Sequence, residues 1–288
     1  MIEVLDPGFY TSIQDRGRMG YRHLGIPISG AMDRKAFDLA HSLLGIKTDT
    51  TLIECTLVGP ILRFHESCSL VITGAQMETF LNDIPITNNE VVAVNSGDIL
   101  KLRQALNGIR TYIKINHSLI IPKILGSTSF YQPITSEAVL KKEAIFFWLK
   151  SKTSFQTKNS RVRVKDDYLF SDELEVEKGP EYDLFEDSLK KSLTIAKFKI
   201  KSQNRMGYRI KTPFNSKPKS MLSCAVQPGT VQMTPSGTLL IAGMDGQVSG
   251  GYPRIFQLCE DALSILAQKK AGDKISFKLH DKPLQKEL

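Results

Sequence analysis

The sequence predicts a mainly β chain built on an internal duplication, and three observations carry that reading. Most apolar runs are only four to seven residues long and lie between turn signals, which is strand rather than helix spacing. The pentapeptide Arg-Met-Gly-Tyr-Arg occurs twice, at Arg18 to Arg22 and at Arg205 to Arg209, and five residues of mixed chemistry seldom recur by chance in so short a chain. Finally, 288 residues with 41% hydrophobic side chains suffice for about two domains with cores of their own.

In chain order, Ile2-Glu3-Val4-Leu5 reads as a strand ahead of the Asp6-Pro7-Gly8 turn, and Leu174-Glu175-Val176-Glu177 repeats that plan ahead of Gly179-Pro180. Asp33 caps a helix that places Ala36, Phe37, Ala40, Leu43 and Leu44 on one face and stops at Gly45. Gly59-Pro60-Ile61-Leu62 leading to Leu70-Val71-Ile72-Thr73-Gly74 resembles Gly229-Thr230-Val231-Gln232 leading to Leu239-Leu240-Ile241-Ala242-Gly243. Strands are expected at Cys68 to Thr73, Val91 to Val94, Ile99 to Leu102, Thr111 to Ile115, Phe198 to Ile200, Leu239 to Ala242 and Ile275 to Leu279, in a mainly antiparallel plan. A second helix is expected to open at Pro253, with Phe256, Cys259, Leu263 and Leu266 spaced for one face. Gly97-Asp98-Ile99 echoes Gly272-Asp273-Lys274, so the boundaries expected are one domain over 1–116, a connecting region over 117–173 and a second domain over 174–288. The polar end, 281–288, is expected to fray.

Lys and Arg number 38 against 30 Asp and Glu, a net +8, which favours anionic ligands or partners. Nucleic acid is not among the expected partners. The four cysteines, Cys55, Cys68, Cys224 and Cys259, form no Cys-x-x-Cys pair, and the five histidines lie in no metal-ligand spacing, so reduced thiols and no metal are expected. No basic head precedes an apolar core at the start, and no run approaches the ~18 apolar residues of a membrane span. A soluble, cytoplasmic protein with no membrane contact is the expectation. Phosphate-loop, nucleophile-elbow, zinc-protease and dinucleotide motifs are all absent from the sequence.

Chemistry therefore falls to Arg, Asp, Glu, Gln, Tyr and backbone donors. Gln14-Asp15-Arg16-Gly17-Arg18-Met19-Gly20-Tyr21-Arg22 can hold a planar anion, with Arg18 and Arg22 as bidentate cations, Gln14 and Tyr21 as donors, and Asp15 orienting a guanidinium. The same residues also suit a tight corner in which an arginine pairs with Asp15. The repeated copy offers Arg205, Tyr208 and Arg209 in the same two ways. Asp245, Gln247, Ser249, Gly250, Gly251 and Tyr252 suit an oxyanion cradle at the start of the helix expected after Pro253, or a glycine turn chosen for its backbone angles. Ser29 can line a pocket beside Asp33, although Asp33 is more simply a cap. Glu54 within Ile53-Glu54-Cys55 is a candidate acid or base if buried, or faces solvent on the alternate side of its strand. Asp15, Glu54, Asp245 and Tyr252 are the catalytic candidates.

With these segments in hand, the chain resembles the biotin-dependent carboxyltransferase family, also called allophanate hydrolase subunit 2, to which the C subunit of bacterial 5-oxoprolinase belongs. The resemblance runs over most of the length. It rests on Gln14-Asp15-x-Gly17-Arg18-x-Gly20-Tyr21, Gly25-x-Pro27-x-Ser29-Gly30-Ala31-Met32-Asp33, Glu54-x-Thr56-x-x-Gly59-Pro60, Gly108-x-Arg110-x-Tyr112, Gly126-Ser127, Gly179-Pro180-Glu181, Arg205-Met206-Gly207-Tyr208-Arg209 and Asp245-x-Gln247 through Gly250-Gly251-Tyr252-Pro253. His117-Ser118 replaces a usual Gly-Gly, Phe130-Tyr131-Gln132-Pro133 replaces a glycine-rich run, and Ser249 stands where Thr is usual.

The resemblance implies two tandem cyclophilin-like β-barrel domains with a few helices. It implies a subunit of an ATP-dependent 5-oxoprolinase that opens 5-oxoproline to glutamate, with a companion resembling the B subunit of 5-oxoprolinase, a further one resembling the A subunit, and ATP used by the assembly. Two alternatives belong to the same family: a biotin-dependent carboxyltransferase acting on urea, and a nonenzymatic regulator that antagonises a kinase inhibitor. No lysine sits between methionines as in a biotinylation site, so no covalently attached biotin is expected.

Overall fold

The computed structural model describes residues 1–46, 50–150, 164, 166–214, 218 and 220–280; residues 151–163 of the expected connecting region and the end expected to fray lie outside them. The chain divides into two compact units. The first comprises Met1–Phe170 with Ala267–Lys269, and the second the remaining described residues from Ser171 onward. Residues 117–150 group with the first unit.

The first unit holds β1 (Ile2–Asp6), β2 (Tyr10–Gln14), α1 (Arg34–Leu43), β3 (Leu52–Thr56), β4 (Ile61–Phe64), β5 (Cys68–Leu81), β6 (Ile84–Pro85), β7 (Val92–Val94), β8 (Ile99–Ile115), β9 (Ser118–Leu119), β10 (Ile145–Phe146) and β11 (Trp148–Leu149). A nine-stranded sheet runs β10-β1-β4-β8-β3-β2, with β5 added on β8 and carrying β6 and β7; β9 and β11 form a separate pair. The two strands expected at Ile99 and Thr111 are one 17-residue strand, and the strand expected at Cys68 continues for 14 residues. Register shifts between Gly74 and Thr79 absorb the glycines and polar residues that read as strand ends.

Side chains alternate along β5, and each face finds a core. Leu70 and Ile72 join Ile2, Val4, Leu62, Phe64, Leu100 and Ile113 on one side, while Val71 joins Ala36, Phe37, Ala40, Leu52 and Tyr112 under α1 on the other. Burial on both faces explains the unbroken apolar run in the sequence. The helix starts where expected: Asp33 Oδ1 accepts from Ala36 N–H at 3.0 Å, and Gly45 beyond its end has φ +65°.

The second unit holds β12 (Glu173–Lys178), α2 (Asp187–Ile195), β13 (Phe198–Asn204), β14 (Gly207–Lys211), β15 (Cys224–Ala225), β16 (Thr230–Met233), β17 (Thr238–Ala242), β18 (Ser249–Gly250), β19 (Arg254–Leu258), α3 (Glu260–Ala267) and β20 (Lys274–Leu279). Seven strands close a barrel in the order β12-β19-β16-β17-β14-β13-β20. Closure is made by the parallel pair β12 and β20, with Leu174 opposite Phe277, so the barrel exposes no edge among these seven strands. Leu174, Val176, Ile200, Tyr208, Ile210, Leu239, Ile241 and Phe277 are buried between exposed or half-exposed neighbours, as alternation requires.

The helix expected to open at Pro253 is corrected here. Arg254–Leu258 is a strand, paired with both β12 and β16, and the helix begins only at Glu260. Ile255 and Phe256 each gain core contact in a strand that two neighbours hydrogen-bond, which outweighs the helical spacing. The two copies of the pentapeptide also build different local structures. Arg18-Met19-Gly20 is an irregular turn leading into a 3-10 turn at Arg22–Leu24, whereas Arg205-Met206 is the hairpin turn between β13 and β14.

Candidate functional site

In the first unit the predicted residues converge on the segment from Ile28 to Asp33. Arg18 N–H donates to Ile28 O at 2.6 Å and Ala31 N–H to Asp15 O at 3.0 Å. Met32 N–H donates to Glu54 Oε2 at 2.8 Å, and Asp33 N–H to Tyr112 OH at 2.7 Å. Gly30 is needed because a Cβ there would lie 2.9 Å from the Arg16 carbonyl. Ser29, fully buried, is held at φ +58°, a left-handed conformation that costs a non-glycine residue ~1–2 kcal/mol, and its Oγ has no hydrogen-bond partner among the described residues. A strained residue with an uncommitted hydroxyl, fixed by four backbone contacts around it, is the most distinctive feature of this segment.

The supporting residues are committed inward. Asp15 Oδ1 accepts from Ser127 Oγ and Ser129 Oγ, both at 2.6 Å, and from Gly17 N–H at 2.8 Å. Its Oδ2 accepts from Thr128 N–H at 2.7 Å and from Thr128 Oγ1 at 3.1 Å. Burial alone would raise the Asp15 pKa, but these donors outweigh it and hold the carboxyl below the usual range. A carboxylate so surrounded is a poor proton acceptor at neutral pH, so the structure gives Asp15 the role of a loop clamp. Arg18 is fully buried, with Nε on Ile124 O at 3.2 Å and a terminal nitrogen on Ser129 O. Gln14 Nε2 donates to Ser12 Oγ at 3.0 Å and Phe130 O at 3.4 Å. Tyr21 and Arg22 are half-buried.

Glu54 is buried, not solvent-facing. Its Oε2 accepts from Tyr112 OH at 2.8 Å as well as from Met32 N–H. Asp33 extends the network: its Oδ2 accepts from Tyr168 OH and from Gln268 Nε2, both at 2.7 Å, and Gln268 Oε1 in turn accepts from the Ile109 and Arg110 N–H groups at 2.9 Å. Burial, then the neighbouring carboxylates, push the Tyr112 and Tyr168 phenols well above their ordinary range, so both stay protonated donors. Lys114 lies beneath the same loops, fully buried, with Nζ 3.1 Å from Thr51 O and 3.4 Å from His117 O; burial brings its pKa down to about 7.

In the second unit Arg205 and Asp245 form a buried bidentate pair, Nε to Oδ2 at 2.7 Å and a terminal nitrogen to Oδ1 at 3.2 Å. The turn is drawn tight by Gly243, where a Cβ would lie 2.3 Å from Arg205 O. Tyr208 is buried in the barrel core, and Arg209, next along the strand, is exposed. Gln247 and Ser249 are exposed or half-exposed, and Gly250, Gly251 and Tyr252 are half-buried. The helix-start cradle expected for these residues is corrected: Ser249–Gly250 pairs with Cys224–Ala225, Met221 N–H donates to Gly251 O at 2.9 Å, and a strand follows. Close packing is why glycine stands at 250, since a Cβ would lie 2.7 Å from Gln247 Nε2 and 2.8 Å from Gln232 Nε2.

Sequence reasoning missed Ser127, Thr128, Ser129, Lys114, Tyr168 and Gln268. Gly126-Ser127 and Gly108-x-Arg110-x-Tyr112 were the only signals near them. Gly108 now has a reason: a Cβ would lie 2.7 Å from Gln268 Oε1.

Fold and site define a β-rich scaffold in which buried carboxylates fix loops. The chain belongs to the family described as carboxyltransferase domain, subdomain A and B, whose model matches residues 24–279. It is 32% identical to the C subunit of 5-oxoprolinase from Haemophilus influenzae, over 96% of this chain and 90% of that protein. The C subunit of 5-oxoprolinase from Escherichia coli is 28% identical over the same shares. Urea amidolyase of Lachancea kluyveri is 40% identical, but over 45% of this chain and 7% of the amidolyase. The crystal structure of the Kluyveromyces lactis urea carboxylase superposes with a TM-score of 0.84 at 28% identity, covering 96% of this chain and 27% of that one. Among the described residues no helix is long and apolar enough to cross a membrane.

Proposed function

We propose that this chain works as one component of an ATP-dependent 5-oxoprolinase, opening 5-oxoproline to glutamate together with companions resembling the B and A subunits of that enzyme. The observation that carries the reading is the near end-to-end correspondence, 96% of this chain against 90% of its relative, with a protein named as the C subunit of 5-oxoprolinase. Opening the lactam is coupled to ATP by phosphate transfer to the amide oxygen, which releases ADP; one water then adds to that carbon and the C–N bond breaks to leave a glutamyl phosphate, and a second water displaces phosphate to give glutamate. In the second unit Arg209, Gln247, Ser249 and Tyr252 have exposure enough to bind the substrate carboxylate or amide, and, taken by itself, the first unit offers Tyr21 and Arg22. The Gly250-Gly251 segment runs into a strand and not into a helix start, so no phosphate cradle is assigned to it, and ATP is used by the assembly. The enzyme works in the cytoplasm.

Carboxyl transfer to urea is the second reading, favoured by the higher local identity, 40%, to urea amidolyase. Purified protein, mixed with companions resembling the A and B subunits, ATP and 5-oxoproline, is expected to release glutamate only when all components are present. No glutamate from that mixture, with carboxyl transfer to urea on supply of carboxybiotin, would replace the first reading by the second.

A further inference from the structure

Outside the loops described above, three metal-ligating side chains of different types meet at one end of the second-unit barrel. Glu175 lies on β12, Cys259 sits between β19 and α3, and His280 directly follows β20. Their donor atoms, a carboxylate oxygen, a thiol sulfur and an imidazole nitrogen, all lie within 4.8 Å of one another. No sequence spacing announces the group, because its members come from three separate strands of the barrel or their ends. Backbone bonds fix their approach: Cys259 N–H donates to Glu175 O at 3.0 Å, and His280 N–H to Val176 O at 2.8 Å.

We propose that Glu175, Cys259 and His280 form a binding site for a borderline-soft divalent cation of the Zn²⁺ type. One sulfur, one nitrogen and one oxygen ligand suit Zn²⁺, whereas Mg²⁺ and Ca²⁺ take oxygen ligands. Three protein ligands at partial exposure leave the fourth tetrahedral position to water. Glu175 Oε1 and His280 Nδ1 stand 2.5 Å apart, within hydrogen-bond distance. Two ligands on one tetrahedral ion sit roughly 3.3 Å apart for bonds of about 2.0–2.1 Å, a change that rotation of the glutamate side chain supplies. Burial, followed by the carboxylates of Glu175, Glu177 and Asp261, raises the Cys259 thiol pKa in the metal-free state. Those same negative charges favour a cation, and the cation in turn favours the thiolate. A bound ion would tie the middle of β12 to the C-terminal ends of β19 and β20, where the parallel pair closes the barrel.

The site is independent of the 5-oxoprolinase reading and is tested without any activity assay. Metal-free full-length protein is titrated with Zn²⁺ against a chromophoric chelator, and with Co²⁺ as a spectroscopic probe. About one equivalent is expected to bind, with a thiolate-to-cobalt charge-transfer band and a raised melting temperature. Cys259→Ser is expected to abolish the band and weaken Zn²⁺ binding at least ~10-fold, and His280→Ala to weaken it comparably. Cys224→Ser, which alters the other partly exposed thiol, is expected to change nothing. Far-ultraviolet dichroism checks that each variant is folded. Binding of Zn²⁺ by Cys259→Ser as tight as that of the parent, or a cobalt spectrum without the thiolate band, would overturn the site and leave only a hydrogen bond between Glu175 and His280.

Discussion

Lys114 is the residue whose chemistry most departs from its type. Its ammonium has carbonyl neighbours, Thr51 O and His117 O, at 3.1 and 3.4 Å, and burial brings its pKa down to about 7 from 10.5. Between those two values the unfolded chain holds a proton that the folded chain does not, so stability rises with pH across that window, by at most about 1.4 kcal/mol per pH unit. Below about pH 7 both states are protonated, and the full penalty of burying the charge is present. Urea unfolding of the parent and of Lys114→Met at pH 6, 7.5 and 9 is the check. Lys114→Met is expected to lose the rise between pH 7.5 and 9. Its stability relative to the parent is expected to be greatest at pH 6, by on the order of 1–3 kcal/mol. Parallel pH profiles for the two proteins would show that the amine is solvated or paired in the fold.

At the level of elements, the alternation and turn signals made many of the strands legible, though not β2, β14 or β19, and the Asp33 cap fixed the start of α1. What the sequence hid was continuity. Gly74 reads as the end of a strand and Gly108 falls between two expected strands, yet both lie inside long ones, because a bulge tolerates a glycine that an isolated strand does not. Gly74 has φ +88°, and a Cβ on it would stand 2.5 Å from Arg110 O on the paired strand. Gly97 has a similar φ, +95°, with nothing within 4 Å of a Cβ. The two glycines therefore separate the backbone cost from the packing cost. Gly97→Ala is expected to lower stability by about 1 kcal/mol and Gly74→Ala by about 2–4 kcal/mol in equilibrium unfolding. Equal losses would mean that β5 and β8 yield at the bulge without strain. The false helix at Pro253 has a related cause: Phe256, Cys259, Leu263 and Leu266 keep a helical spacing, although the first belongs to a strand and the last two to a helix.

For the whole molecule, the site was legible in residue type more than in role. Asp15, Arg18, Glu54, Arg205 and Asp245 were singled out as chemistry, and all five are buried and committed to holding loops. Their partners lie far away in the chain, Ser127 and Ser129 being 112 and 114 residues from Asp15, a distance over which local patterns carry no information. One consequence is that the net charge of +8 is not used up at the buried site, where Arg18 meets carbonyls and Arg205 meets Asp245. Much of the excess is left to the surface, including Arg209 on β14 and Lys178 at the end of β12. A surface of one prevailing sign accelerates encounter with a partner of the other sign, and salt screens that acceleration beyond a Debye length of about 8 Å at physiological ionic strength. If the companion proteins complete the enzyme, the ones that dock here are expected to be acidic. The association rate, followed by stopped-flow fluorescence of the single tryptophan, Trp148, or of a label, is expected to fall at least ~10-fold between about 20 and 200 mM salt, with the dissociation rate changing less. An association rate indifferent to salt would assign the excess charge to solubility alone, and recognition of the companion would then rest on shape and apolar contact.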